Sequence, residues 1–123
     1  MKMTTEMLKA NKNLATQENF EKANKKKDWY LRLKMLKANH KLATHENFND
    51  ETDESVRLAM LLINPKLATQ ENFKKANKKK WLYVRYKMLK ANPKLATQKN
   101  FYNEEDEFVR FVMRYINPAI KDN

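Results

Sequence analysis

Two lysine runs, each followed within three residues by a tryptophan and a tyrosine, are the residues here best suited to chemistry. The first reads Lys25-Lys26-Lys27-Asp28-Trp29-Tyr30-Leu31-Arg32-Leu33-Lys34, the second Lys78-Lys79-Lys80-Trp81-Leu82-Tyr83-Val84-Arg85-Tyr86-Lys87. Lysine ammonium groups neutralise phosphates, and aromatic rings stack on unpaired bases. Lys25, Lys26, Lys27, Lys34, Lys78, Lys79, Lys80 and Lys87 are therefore the candidate anion- or nucleic-acid-binding residues. Trp29, Trp81, Tyr30 and Tyr83 are the candidate stacking residues. The competing reading is a solvated lysine face above aromatics that belong to a core. Trp29 aligns with Leu82 and Trp81 with Asp28, so the tryptophan moves about 100° round a helix between copies. A stacking residue should hold its face, whereas a packing residue can drift. The Thr-Gln-Glu-Asn-Phe segment before each run, a short turn and the run itself also fit a DNA-binding helix-turn-helix, without the usual turn glycine.

Arg32 and Arg85 each fall at the centre of an otherwise apolar helix face. A buried arginine needs a partner, and the acidic runs 50–54 and 104–107 offer carboxylates for an ion pair. The alternative is an arginine that grips a carboxylate or phosphate of a ligand. The acidic runs lack the alternating oxygen ligands and turn glycine of a calcium loop. They suit helix N-termini electrostatically and could face the lysines of neighbouring units. His40 and His45, the only histidines, lie five residues apart and share no helix face, so no metal site is expected. With Ser55 the only serine and no cysteine, no catalytic constellation is visible. A non-enzyme without cofactor is expected.

Composition narrows the elements that must position these groups. Glycine is absent and only three prolines occur. β-Sandwiches and α/β folds use glycine at tight turns and phosphate loops, so an all-α chain is expected. Hydrophobic residues reach 41%, enough to build a core and to exclude wholesale disorder. No apolar run approaches the ~20 residues of a membrane span, and the N-terminus lacks a signal-peptide core. An intracellular, soluble protein of the cytoplasm or nucleus follows as an expectation, with no membrane partner. The net charge of +11, from 26 basic and 15 acidic residues, implies attraction to polyanions.

The elements themselves come from a repeat. Asn64-Pro65-Lys66-Leu67-Ala68-Thr69-Gln70-Glu71-Asn72-Phe73 recurs at 11–20, 39–48 and 92–101, and its first two letters return at Asn117-Pro118. The starts are 28, 25, 28 and 25 residues apart, giving a 53-residue double repeat. Residues 11–63 and 64–116 match without a gap, at roughly two positions in three. One array domain over 1–123 is expected, with half-units at 1–10 and 117–123 as caps. Asn64, Asn92 and Asn117 are expected to be one-residue corners, each capping a helix that begins at proline. A short helix over about 65–72 should turn near 74–77 into a second helix ending at Ala91. In the acidic units Asn103 should start the second helix. There Phe108, Val109, Phe111, Val112, Tyr115 and Ile116 should form the buried face, with Arg110 and Arg114 outside.

The Asn-Pro-Lys-Leu-Ala corner after an amphipathic helix is similar to the turn between tetratricopeptide repeats. The resemblance covers that corner alone: the family's 34-residue period and its Trp, Leu-Gly and Tyr positions are missing. It implies an architectural analogy, a short α-solenoid of stacked helical hairpins. The alternative is an up-down bundle of about four long helices. Two functional readings follow. One is a non-catalytic binding module whose basic faces grip an anionic partner, nucleic acid first. The other is a structural or protein-interaction repeat, designed or recently duplicated, with no dedicated ligand.

Overall fold

A computed structural model describes residues 3–122. Among these the chain is all-helical, with nine α-helices and no strand. No helix among the described residues is long and apolar enough to cross a membrane. The chain divides into two compact units, Met1–Asn64 and Pro65–Asn123. The first holds α1 (Thr5–Ala10), α2 (Gln17–Lys25), α3 (Trp29–Ala38), α4 (His45–Asp50) and α5 (Glu54–Ile63). There α3 packs against α1, α2 and α5. The second holds α6 (Gln70–Lys78), α7 (Leu82–Ala91), α8 (Gln98–Asn103) and α9 (Glu107–Ile116), with α7 packed against α6 and α9.

The recurring ten-residue stretch is a folding device. Its asparagine ends one α-helix and opens a three-residue 3-10 turn, Lys12–Leu14, His40–Leu42, Pro65–Leu67 or Pro93–Leu95. Its threonine is the true N-cap of the next helix. Thr16, Thr44, Thr69 and Thr97 accept hydrogen bonds from the N–H groups of Asn19, Asn47, Asn72 and Asn100. Each of those asparagines donates back to the leucine carbonyl five residues earlier, as Asn72 does to Leu67 at 2.7 Å. The phenylalanine that follows, Phe20, Phe48, Phe73 or Phe101, is buried in every copy.

The corner is therefore longer than the one residue expected, and asparagine rather than proline makes it. Asn39 and Asn92 use their side chains alike, accepting from the backbone of Lys41 and Lys94 and donating to the carbonyls of Ala15 and Ala68. Asn39 does this with His40 where Asn92 has Pro93. The same donation runs from Asn64 to Ala43 and from Asn117 to Ala96.

The break between first and second helices also differs from expectation. Residues 74–77 are helical, and the turn falls at 79–81, with Lys80 at φ 57°; Lys27 holds the same angle in the first unit. Around Lys27, the Asp28 N–H reaches the Ala23 carbonyl and the Lys27 N–H reaches Asn24, the paired bonds of a Schellman cap. Lysines at the last turn of a helix favour its dipole. Counting those lysines as the start of the second helix misplaced the turn. The long-helix bundle fails for the same reason: no α-helix among the described residues exceeds ten residues.

In the acidic stretches the second helix starts later than Asn103, which is the last residue of α8. Asp53 and Asp106 are the N-caps, accepting from the Val56 and Val109 N–H groups at 3.0 Å. The expected buried face of α9 is wrong as well. Val109 and Met113 are buried, while Phe108, Phe111 and Tyr115 are exposed. A ten-residue helix with neighbours on one side buries a narrow stripe, and apolar type alone did not reveal which stripe.

Candidate functional site

The six lysines of the two runs share one local geometry. Lys25 and Lys78 end α2 and α6, Lys26 and Lys79 are the C-caps, and Lys27 and Lys80 take the left-handed position. All six are exposed. The exposed ion pairs next to them use other lysines, Lys22 with Glu18 and Lys75 with Glu71, one turn apart along α2 and α6. No lysine of either run sits in an ion pair among the described residues. In the second unit Lys78 and Lys80 border an open hollow of about 440 Å³ whose opposite wall carries Glu105 and Asp106. The Asn77 side chain spans it, donating to the Asn103 carbonyl at 3.0 Å. In the first unit Asn24 reaches Asp50 in the same way at 3.4 Å. In the second unit Lys78 and Lys80 thus share a hollow with a carboxylate loop without an ion pair to it.

The aromatics divide. Trp29 and Tyr30, the first residues of α3, are 47% and 49% exposed and meet edge to face, with ring centres 5.8 Å apart. The Lys34 ammonium lies 5.2 Å from the Tyr30 ring centre. Tyr30 and Lys34 wall a hollow of about 480 Å³ between α1 and α3, joined by Lys9, Lys12 and Lys37 over a floor of Leu8 and Ala38. Four lysines against one carboxylate, Glu6, make this hollow cationic. In the second unit Trp81 is half-buried in the N-cap place that Asp28 fills in the first, and Tyr83 is exposed. Lys87 sits 5.9 Å from the ring centre of Tyr86 rather than at Tyr83.

Arg32 and Arg85 are held by the protein itself. Arg32 grips Glu51 with two bonds, Nε to Oε1 at 2.9 Å and Nη2 to Oε2 at 2.7 Å, while Nη1 donates to the Ala23 carbonyl at 3.1 Å. Arg85 grips Glu104 with two bonds of 2.8 Å and reaches the Ala76 carbonyl at 3.3 Å. Both glutamates use Oε2 again, accepting from the backbone of Asp53 and Asp106. This planar pairing fastens α3 and α7 to the loops before α5 and α9, and Arg85 also borders the hollow beside Lys78 and Lys80. The acidic runs are thereby occupied: one residue in each pairs with arginine and another caps a helix. The described residues contain no group of three or more His, Asp and Glu side chains arranged to hold a metal. His40 and His45 are exposed.

Sequence reasoning missed Arg57. It is buried, its guanidinium lies 4.7 Å from the Phe48 ring centre, and Nε donates to the Glu51 carbonyl at 3.1 Å. Burial lowers its pKa to about 10, the Glu51 charge partly opposing that shift. Arg110, expected outside, lies 4.2 Å from the Phe101 ring centre in the equivalent place. The signal was available: an arginine at the same position of both copies, inside an apolar run.

All of these surfaces belong to an all-helical chain whose buried Arg32 and Arg85 are paired with Glu51 and Glu104 and whose lysine runs are exposed. Comparison with known proteins finds no matching family model, no matching curated protein and no matching solved structure.

Proposed function

We propose that the chain is a non-catalytic helical-repeat binding module that contacts an anionic partner, nucleic acid first, through its lysine and aromatic surfaces. The repeat part of this reading is a short solenoid of helical hairpins, two 53-residue copies with half-units at 1–10 and 117–123. It is supported by the asparagine-to-alanine bonds that recur in both units and by the duplicated Arg–Glu pairs. The observation that carries the binding reading is the hollow around Tyr30. It sets an aromatic wall among Lys9, Lys12, Lys34 and Lys37; the exposed Trp29 precedes Tyr30 on α3, and the exposed Lys25–Lys27 turn leads into that helix from α2. Lysines there would neutralise phosphates while Trp29 and Tyr30 stack on bases. A partner of that kind fits the cytoplasm or nucleus.

The test is binding of labelled duplex DNA and single-stranded RNA across a salt series. Micromolar binding at about 150 mM salt, falling steeply as salt rises, is the expected result. Replacing Lys25–Lys27 with alanine should weaken binding to every sequence and flatten the salt slope. Trp29→Ala and Tyr30→Ala should each weaken single-strand binding about tenfold. Binding that vanishes by about 150 mM salt would leave the charge as a solubility feature.

The second reading, a structural or protein-interaction repeat, is favoured by one observation: Phe111 and Tyr115 of α9 are 62% and 80% exposed. The gapless match of the two copies, at roughly two positions in three, supports a recent duplication or design.

A further inference from the structure

Exposed aromatics on α9 line a groove of their own within the second unit. Phe111, Val112, Tyr115 and Ile116 form one wall of a groove of about 400 Å³, and Tyr86 and Leu89 of α7 form the other. Large exposed apolar patches of this kind mark interaction sites. We propose that this groove docks an amphipathic helix with an acidic flank, supplied by another protein.

Shape argues for a helix. Phe111 and Tyr115 lie one turn apart on α9, and the groove runs between two ten-residue helices, about 15 Å long. That length takes three turns of a partner whose apolar residues recur at i, i+3 or i+4, and i+7. Charge argues for acid on its flank. Lys90 is on the groove wall, and the ammonium groups of Lys90 and Lys87 lie 5.5 and 5.9 Å from the Tyr86 ring centre. No carboxylate lines the groove among the described residues. A carboxylate on the partner would meet two cations already seated over an aromatic ring, while its leucines enter between Phe111 and Tyr86. A second copy of this chain is the poorer occupant, because two chains of charge +11 repel at close approach.

The proposal shares only Lys87 with the candidate nucleic-acid-binding residues and none of the residues varied in that test, so the two readings fail separately. It is tested with the full chain, labelled with nitrogen-15, and a helical peptide of about 16 residues bearing leucine at the spacing above and glutamate on both flanks. A control peptide carries lysine in place of glutamate. The expected result is micromolar binding of the acidic peptide, with amide shifts confined to α7 and α9. Phe111→Ala and Tyr115→Ala should each weaken it about tenfold; both side chains are exposed, and the spectrum verifies that the variants keep the fold. Lys90→Glu should weaken the acidic peptide and favour the lysine peptide. Equal affinity for the two peptides, or binding indifferent to Phe111 and Tyr115, overturns the proposal. So does failure of the acidic peptide to bind at about 1 mM. A dimer in sedimentation that Phe111→Ala dissolves also overturns it, making the occupant a second copy.

Discussion

Arg32 and Glu51 illustrate what a buried charge demands. Their side chains are 1% and 0% exposed, so each has surrendered its hydration, and only the partner and nearby backbone groups replace it. Breaking such a pair costs more than the pair contributes, because one charge stays behind uncompensated. Glu51→Gln should therefore lower stability by about 3–5 kcal/mol. The double variant Arg32→Met with Glu51→Leu should recover most of that loss, less about 1 kcal/mol for the bond that Glu51 accepts from Asp53. Urea unfolding of all four members of the cycle measures this. A Glu51→Gln cost below about 1 kcal/mol would mean that water reaches the pair. Arg85 and Glu104 offer the same cycle in the second unit.

Helix ends govern the next scale. Lys27 and Lys80 hold a left-handed backbone that costs a residue with a Cβ about 1–2 kcal/mol, in a chain with no glycine to relieve it. Lys80→Gly should stabilise the second unit by about 0.5–1 kcal/mol, once glycine's extra unfolded-state freedom is deducted. Lys80→Ala removes the same charge but keeps the Cβ, so the difference between the variants in thermal unfolding isolates the backbone term. If alanine stabilises as much as glycine, the gain came from relieved lysine repulsion. At the other helix end, Asn92→Ala loses a bond to the Lys94 N–H and one to the Ala68 carbonyl, and should cost about 2 kcal/mol. Pro93→His, which copies the first unit's His40, should cost far less. Comparable losses in denaturant titrations would return the corner to proline.

Across the whole molecule the charge is unbalanced: +11 net, with both lysine runs exposed. Repulsion among solvated cations is screened by salt, since the Debye length falls from about 30 Å at 0.01 M to about 8 Å at 0.15 M. The melting temperature should therefore rise between 10 mM and 500 mM sodium chloride, whereas the buried Arg–Glu pairs are little affected by screening. A flat or falling melting temperature in calorimetry would mean that carboxylates such as Glu105 and Asp106 already balance the lysines.

The sequence by itself determined a great deal. The absence of glycine pointed to helices, and the spacing of the asparagine corners marked where they end, as at Ala38 and Ala91. The arginine at the centre of an apolar face announced a buried charge with acidic runs as candidate partners. These features are local or compositional, and a repeat writes them twice. Only the tertiary structure decided that Glu51 and Glu104 are the partners, that Arg57 is buried, and that Thr69 rather than Asn64 caps α6. It alone exposed Phe111 and Tyr115. Apolar type records what a helix could bury, but which stripe it does bury depends on where its neighbours lie. A short helix has few neighbours, so half of an apolar face can remain in water.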